Sequence, residues 1–201
     1  KDDSQQIITP GVLIPAAEKH GLSTKLDQAI IARTFEALVA HPEDTASYSI
    51  NLSGATLTDQ DTARFIESLI IKYDIDPSRL YFEITETAAI AHIDSAILFI
   101  NRLTRIGCRF ALDDFGSGTS SFSYLQQLPI SVIKIDGAFV KDIHKNSVNH
   151  IFVESIQRTA VAMNKKTVAE FVENAEIVEE LKKIGIDYAQ GYHIHKPEHW
   201  Y

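Results

Sequence analysis

The strongest constraint in this sequence is a rhythm. Short runs rich in β-branched and aromatic residues alternate with stretches of helical periodicity. The strand candidates are Tyr48–Leu52, Leu80–Ile84, Arg109–Leu112, Val132–Ile135, Thr167–Val172 and Asp187–Gln190. Leu26, Ile30, Ala37 and Leu38 mark the first helical stretch, and Ile66, Leu69, Ile70 and Tyr73 the second. Ile93, Ile97, Ile100 and Leu103 mark the third, and Phe152, Ile156 and Ala160 the fourth. The fifth carries Ile177, Leu181 and Ile184. Gly107 and Gly185 stand where helices should end. Strands and helices alternating at this length imply a parallel sheet covered by helices. Two architectures compete, a doubly wound open sheet and a closed barrel. No Gly-x-Gly-x-x-Gly follows any strand candidate, which weakens the dinucleotide-binding version of the open sheet. The chain starts abruptly, because Val12-Leu13-Ile14-Pro15 leads straight into a helical pattern with no methionine before it. Two further strands upstream would close a barrel of eight. The rhythm thus favours an α/β, TIM-like (β/α)8 barrel with its first strands outside this chain, and the open sheet stays as the alternative.

The ends of the strand candidates carry the chemistry. Buried parallel strands should read as nearly pure hydrocarbon, and charges inside them are unfavourable unless paired or bound to metal. Yet one run after another delivers a polar group. The first ends near Asn51, the second at Glu83 with Glu86 beyond it, and the third in Asp113-Asp114-Phe115-Gly116-Ser117-Gly118. The fourth carries Lys134 and Asp136, the fifth Glu170 and Glu173, and the sixth Gln190. In a barrel the C-terminal strand ends meet at one rim, where active sites lie. Crowded carboxylates repel one another, and divalent cations relieve that repulsion. The donors are oxygen atoms, which selects Mg²⁺ or Mn²⁺ over a thiolate zinc site. Two adjacent aspartates can serve two ions, an arrangement suited to in-line displacement at phosphorus. Lys134 could neutralise developing charge or hold the attacking water. Each residue alone has a plainer reading. Asn51 and Asp113-Asp114 could be turn residues, Lys134 could snorkel, and Glu86, Asp136 and Glu173 could cap helices or form ion pairs. The joint pattern favours the site.

Bulk properties narrow the partners. The net charge of −8 argues against a DNA, RNA or anionic-membrane surface. The single cysteine, Cys108, lies in an apolar run and reads as a buried thiol. It excludes an intrachain disulfide and fits a reducing, cytoplasmic compartment. No run is long and apolar enough to insert into a membrane, although the segment could be the cytoplasmic portion of an anchored protein. His193 and His195 could chelate a metal from one face of a strand, but the oxygen donors already account for one.

Taken together, the motifs resemble the EAL domain family of bacterial cyclic-di-GMP phosphodiesterases over essentially the whole chain. Leu13-Ile14-Pro15-Ala16-Ala17-Glu18 is similar to the family's FIPxAE segment, and Asn51-Leu52-Ser53 to its NxS strand end. Glu83-Ile84-Thr85-Glu86 matches ExTE, and the Asp113–Gly118 run matches the DDFGxG loop. Lys134-Ile135-Asp136 matches KID, and Ala169–Glu173 matches AExVE. Gln190-Gly191-Tyr192 with Lys196-Pro197 matches the closing QGY…P. The resemblance implies a (β/α)8 barrel of the EAL type over residues 1–201, incomplete at its N-terminus. It implies that Asn51, Glu83 and Asp113 ligate one Mg²⁺ or Mn²⁺, and Asp113, Asp114 and Glu170 a second. Glu170 would also act as general base, and Lys134 would position the hydrolytic water. Glu86 would brace the loop after Asp114. Glu173, Gln190 and Pro197 would contact a guanine or its surroundings. The implied reaction opens cyclic di-GMP to linear pGpG, in a homodimer, within a protein that could carry upstream GGDEF, PAS or membrane sensor domains. Two departures stand out. The family's namesake segment, Glu-Ala-Leu followed by Leu-Arg, is absent and would lie upstream of Pro10, and Thr119 stands where the family often has an aromatic residue. A relative that binds cyclic di-GMP without cleaving it, or a scaffold with neither activity, are the alternatives.

Overall fold

The computed structural model describes residues 8–118 and 123–198. Its elements follow the expected alternation. Helices α1 (Pro10–Lys19) and α2 (Ser23–Ala40) precede strand β1 (Tyr48–Leu52). Helices α3 (Gly54–Leu57) and α4 (Gln60–Tyr73) lead to β2 (Leu80–Thr85), then α5 (Glu86–Ala91) and α6 (Ile93–Thr104) to β3 (Arg109–Phe115). Strand β4 (Val132–Ile135) is followed by α7 (Gly137–Val140) and α8 (Ser147–Ala162), and β5 (Lys166–Ala169) by α9 (Ala175–Ile184) and β6 (Tyr188–Ala189).

The six strands are all parallel and lie in chain order, β1 to β6. That order decides between the two architectures. A doubly wound sheet reverses its strand order, whereas here each right-handed crossover places its helix on the same face. The chain therefore has a singly wound, TIM-like sheet. Phe82, Ile84, Phe110, Leu112, Ile133 and Ile135 point to the helix side and are fully buried. They join Ile31, Phe35, Ile66, Phe99, Leu103, Val153 and Ile156 from the helices in one core. Phe110 meets Phe82 at 5.5 Å and Phe99 edge-on at 6.3 Å between ring centroids. Truncating a ring so enclosed typically costs about 3–5 kcal/mol, so the strands beneath the site are held firmly.

Some boundaries and one helical face differ from expectation. Strand β2 continues to Thr85 and β3 to Phe115. Strand β5 stops at Ala169 instead of Val172, because Phe171 takes a left-handed backbone with φ 53°. Strand β6 keeps only Tyr188–Ala189, although the Gln190 N–H still donates to the Ala169 carbonyl at 2.8 Å. In α2 the buried face is Asp27, Ile31, Thr34, Phe35 and Leu38, so Ile30 is exposed. The expected phase there was one residue out, since Ile30 and Ile31 compete for the core-facing position. The other apolar stripes pack inward as expected, and Gly107 and Gly185 donate back to the last turns of α6 and α9. Cys108 is buried, and burial pushes its thiol up to about 12, which makes it inert as a nucleophile.

Candidate metal centre and active site

The face of the sheet away from the helices has its own row of residues. The register sets Asn51 beside Glu83 and Glu83 beside Ala111. Alternation then places Glu83, Ala111, Val132, Lys134 and Val168 on one side, and these residues line a cavity of about 360 Å³ with Tyr81, Tyr188 and Gln190. Lys134 is its hub. The Lys134 Nζ lies 2.7 Å from Glu83 Oε2, 2.8 Å from Asp113 Oδ1 and 2.9 Å from Glu170 Oε1. All of these side chains are buried or nearly so. Burial alone would lower the Lys134 pKa, but the charge of Glu83 and contacts with Asp113, Glu83 and Glu170 outweigh it and hold the ammonium above its ordinary value. One cation thus balances three carboxylates, and an excess of negative charge remains.

Asp114 adds to that excess. Adjacent residues of a regular strand point to opposite faces, so Asp113 and Asp114 should diverge. A bulge prevents this. Leu112 pairs with Ile133 and Phe115 with Ile135, so three steps on β3 match two on β4. The extra residue is absorbed where Asp114 turns left-handed at φ 55°. As a result, carboxylate oxygens of Asp113, Asp114 and Glu170 lie within 4.8 Å of one another. Burial, then Asp113 and Asp136, raise the Asp114 pKa. Burial also raises that of Glu170, with Asp113 and Asp114 adding to the rise and Lys134 opposing it. Asp113 Oδ1 is buried, with the Lys134 ammonium 2.8 Å away. A buried carboxylate oxygen among further hard oxygen ligands, with one cation shared by three acids, fits a divalent cation. Among the described residues this is the one acidic or histidine cluster with such spacing. His193 and His195 are exposed and sit in a turn beyond β6, so the strand geometry that would pair their rings is not present.

The remaining expected residues separate into neighbours and outliers. Asn51 stands level with Glu83 on the edge strand β1 and is exposed. Glu173 and Gln190 line a second cavity of about 280 Å³ with Glu170, Phe171, Gly191 and Tyr192. Gly191 is needed there, because a Cβ on it would come within 2.3 Å of the Val172 backbone. Pro197 is exposed and lines neither cavity. Glu86 is almost fully buried at the start of α5. Its carboxylate accepts from the Gly116 N–H at 3.0 Å and from the Tyr124 hydroxyl at 2.5 Å. Burial and the Glu86 contact push the Tyr124 pKa up, so the phenol stays a donor. The loop after Asp114 is therefore tied to Glu86 at both sides of residues 119–122. Thr119 lies outside the described residues. Asp136 caps α7 by accepting from the Ala138 N–H at 2.7 Å. Replacing Glu86 with Gln is expected to weaken that tie by about 1.5–3 kcal/mol, the range for a hydrogen bond to a charged group. Chemical denaturation should show this loss, with less protection of the loop in hydrogen exchange.

Asp27 was not anticipated. Its Oδ2 accepts from the Ser53 N–H at 2.8 Å, the Ser53 hydroxyl at 2.7 Å and the Thr56 hydroxyl at 2.6 Å. It pins the turn two residues past Asn51 to α2. The available signal was an acid on the apolar side of a helix, in phase with Ile31, Thr34 and Leu38.

Buried carboxylates with a lysine among them, at the C-terminal strand ends of a parallel barrel-like sheet, stand where the active sites of (β/α) scaffolds lie. The chain belongs to the EAL domain family, whose pattern matches residues 1–197. It is 40% identical over 195 residues to the cyclic di-GMP phosphodiesterase PdeB of Shewanella oneidensis, covering 96% of this chain and 23% of that protein. It is 34% identical over 200 residues to the cyclic di-GMP phosphodiesterase PdeF of Escherichia coli, covering 98% of this chain and 27% of that protein. The chain thus spans about a quarter of the length of these relatives. The FimX EAL domain from Pseudomonas aeruginosa bound to c-di-GMP superposes with a TM-score of 0.91 at 26% identity, covering 98% of this chain and 80% of that one. No helix among the described residues is long and apolar enough to cross a membrane.

Proposed function

We propose that the protein containing this chain hydrolyses cyclic di-GMP to linear pGpG with two divalent cations, Mg²⁺ or Mn²⁺. The carrying observation is the convergence of Asp113, Asp114 and Glu170 beside the Lys134 hub, at strand ends where a hydrocarbon lining would otherwise be expected. Asp113, Asp114 and Glu170 would hold one ion, and Asn51, Glu83 and Asp113 the other, with the glutamate of an upstream Glu-Ala-Leu segment completing the set. Bound cations of this kind supply Lewis acidity and a more acidic water.

The chain's own groups do the rest. Glu170, held 2.9 Å from Lys134, accepts a proton from the attacking water. Water oxygen bonds to phosphorus, the P–O3′ bond breaks, and the leaving O3′ takes a proton from solvent, to which Glu170 later returns its own. Lys134 holds the water and offsets negative charge on the phosphoryl oxygens. Glu173 and Gln190, in the adjoining cavity, contact a guanine, and Pro197, outside that cavity, its surroundings. Glu86 sets the loop after Asp114, and that loop also forms a homodimer contact. The short share of the relatives spanned by this chain supports a parent with further domains; we take these to be of the GGDEF, PAS or membrane-sensor kind, with this segment in the cytoplasm.

The test uses the chain extended upstream by about 40 residues, the length of two strands and a helix in a barrel. Incubated with cyclic di-GMP and Mn²⁺, it is expected to yield pGpG. Tight binding without product would replace the enzyme with a receptor, and neither binding nor product would leave a scaffold.

A further inference from the structure

Glu170 is followed by an unusual residue. Phe171 has a left-handed backbone, φ 53°, which an aromatic side chain rarely adopts. The turn has a use. In a continuing strand Glu170 and Val172 would point the same way. The left-handed step lets Glu170 face Lys134 while Val172 is fully buried in the core. The flanking backbone is held, with the Glu170 N–H donating to Ile135 at 3.2 Å and the Val172 N–H to Gln190 at 3.0 Å.

The ring is seated on one residue. A Cβ built on Gly137 would lie 2.2 Å from Phe171 Cδ2, 2.6 Å from Cγ and 2.8 Å from Cβ. Rotating the ring cannot relieve a clash that reaches Phe171 Cβ, so the backbone at 171 would have to move. Lys141, at the end of the same short helix, places its Nζ 4.3 Å from the ring centroid. Gly137 lies two residues beyond β4, the strand that carries Lys134.

We infer that Gly137 and Phe171 form a seat that fixes the Glu170 carboxylate against Lys134, making Gly137 a positioning residue of the site. The contact itself does not depend on the proposed reaction; only its effect on metal binding rests on that reading. Glycine is required because Phe171 occupies the space of its side chain. Gly137→Ala should push residue 171 away and turn Glu170 out of the site. Phe171→Gly removes the ring but keeps the left-handed turn, which glycine adopts freely, so it should leave Glu170 in place. In the double variant the added methyl meets no ring, and the site should recover.

The experiment is the crystal structure of each variant of this chain, with Mn²⁺ affinity measured alongside by electron paramagnetic resonance. Gly137→Ala should open the Glu170–Lys134 contact beyond 4 Å and weaken Mn²⁺ binding about tenfold or more, the loss typical of a disturbed ligand support. Phe171→Gly and the double variant should both keep that contact and bind Mn²⁺ within about threefold of the parent, a spread well under the tenfold attributed to lost support. An unmoved Glu170 in Gly137→Ala, or a double variant as displaced as the single, would overturn the seat. A parent chain that binds no Mn²⁺ would instead count against the metal site, and the crystallographic comparison would still decide the seat. If Gly137→Ala does not fold, the seat is judged by the double variant: folding restored by Phe171→Gly supports it, and a double variant that also fails to fold overturns it.

Discussion

Glu170→Gln should reduce turnover of cyclic di-GMP by about 10³-fold, within the range by which a positioned general base accelerates proton transfer. The substitution keeps the shape of the side chain and one oxygen while removing the charge. That oxygen could still face Lys134, 2.9 Å away in the parent structure. What is lost is the proton acceptor, together with one of the three charges of the Asp113–Asp114–Glu170 cluster. The effect should fall on kcat, because proton acceptance strengthens only in the transition state. Glu173→Gln is the control. Glu173 is exposed and faces only the second cavity, so its replacement should raise KM with a smaller change in kcat. Steady-state kinetics on the two variants side by side would separate the roles. Near-parent kcat in Glu170→Gln would remove Glu170 from the chemistry.

Lys134→Met carries the second large effect, and it appears first in stability. Lys134 is the cation shared by Glu83, Asp113 and Glu170 in a buried setting. Removing one partner of a buried ion pair costs about 3–5 kcal/mol, because the charges left behind have neither water nor a counterion. For a domain of this size that corresponds to a fall in Tm of roughly 6–20 °C. Divalent cations should reverse much of it. A ligand at 100 times its Kd stabilises by about 2.7 kcal/mol, and the variant offers a more negative site than the parent. Thermal unfolding with and without Mn²⁺ should therefore show a larger metal-dependent rise in Lys134→Met. A variant as stable as the parent without metal would mean that the three carboxylates are already relieved by proton uptake.

The sequence was most informative where polar residues interrupt hydrocarbon. Glu83 within Tyr-Phe-Glu-Ile and Glu170 within Val-Ala-Glu-Phe had to be explained by a site, and both sit at the Lys134 hub. The alternation of strand and helix was legible for the same reason, since a period of two and a period of 3.6 are local properties of the chain. Strand order was not local. It came from the register, which excluded the doubly wound sheet. The left-handed steps at Asp114 and Phe171 were also hidden, because neither residue is glycine and nothing local demands a positive φ. Those steps are what bring adjacent acids to one place and separate Glu170 from Val172. Asp27 was missed because its partners, Ser53 and Thr56, are 26 and 29 residues away and become neighbours only when α2 lies against β1. Ile30 was misplaced because two adjacent isoleucines give a helix face an ambiguous phase.

The central claim is that the strand-end carboxylates gather divalent metal. It is tested most directly by soaking crystals of the chain in MnCl₂ and collecting anomalous diffraction at the manganese edge. The expected result is a strong peak bounded by Asp113, Asp114 and Glu170, with a second toward Glu83 and Asn51. A peak at His193 and His195 instead, or no peak between Asp113 and Glu170 at saturating Mn²⁺, would contradict it.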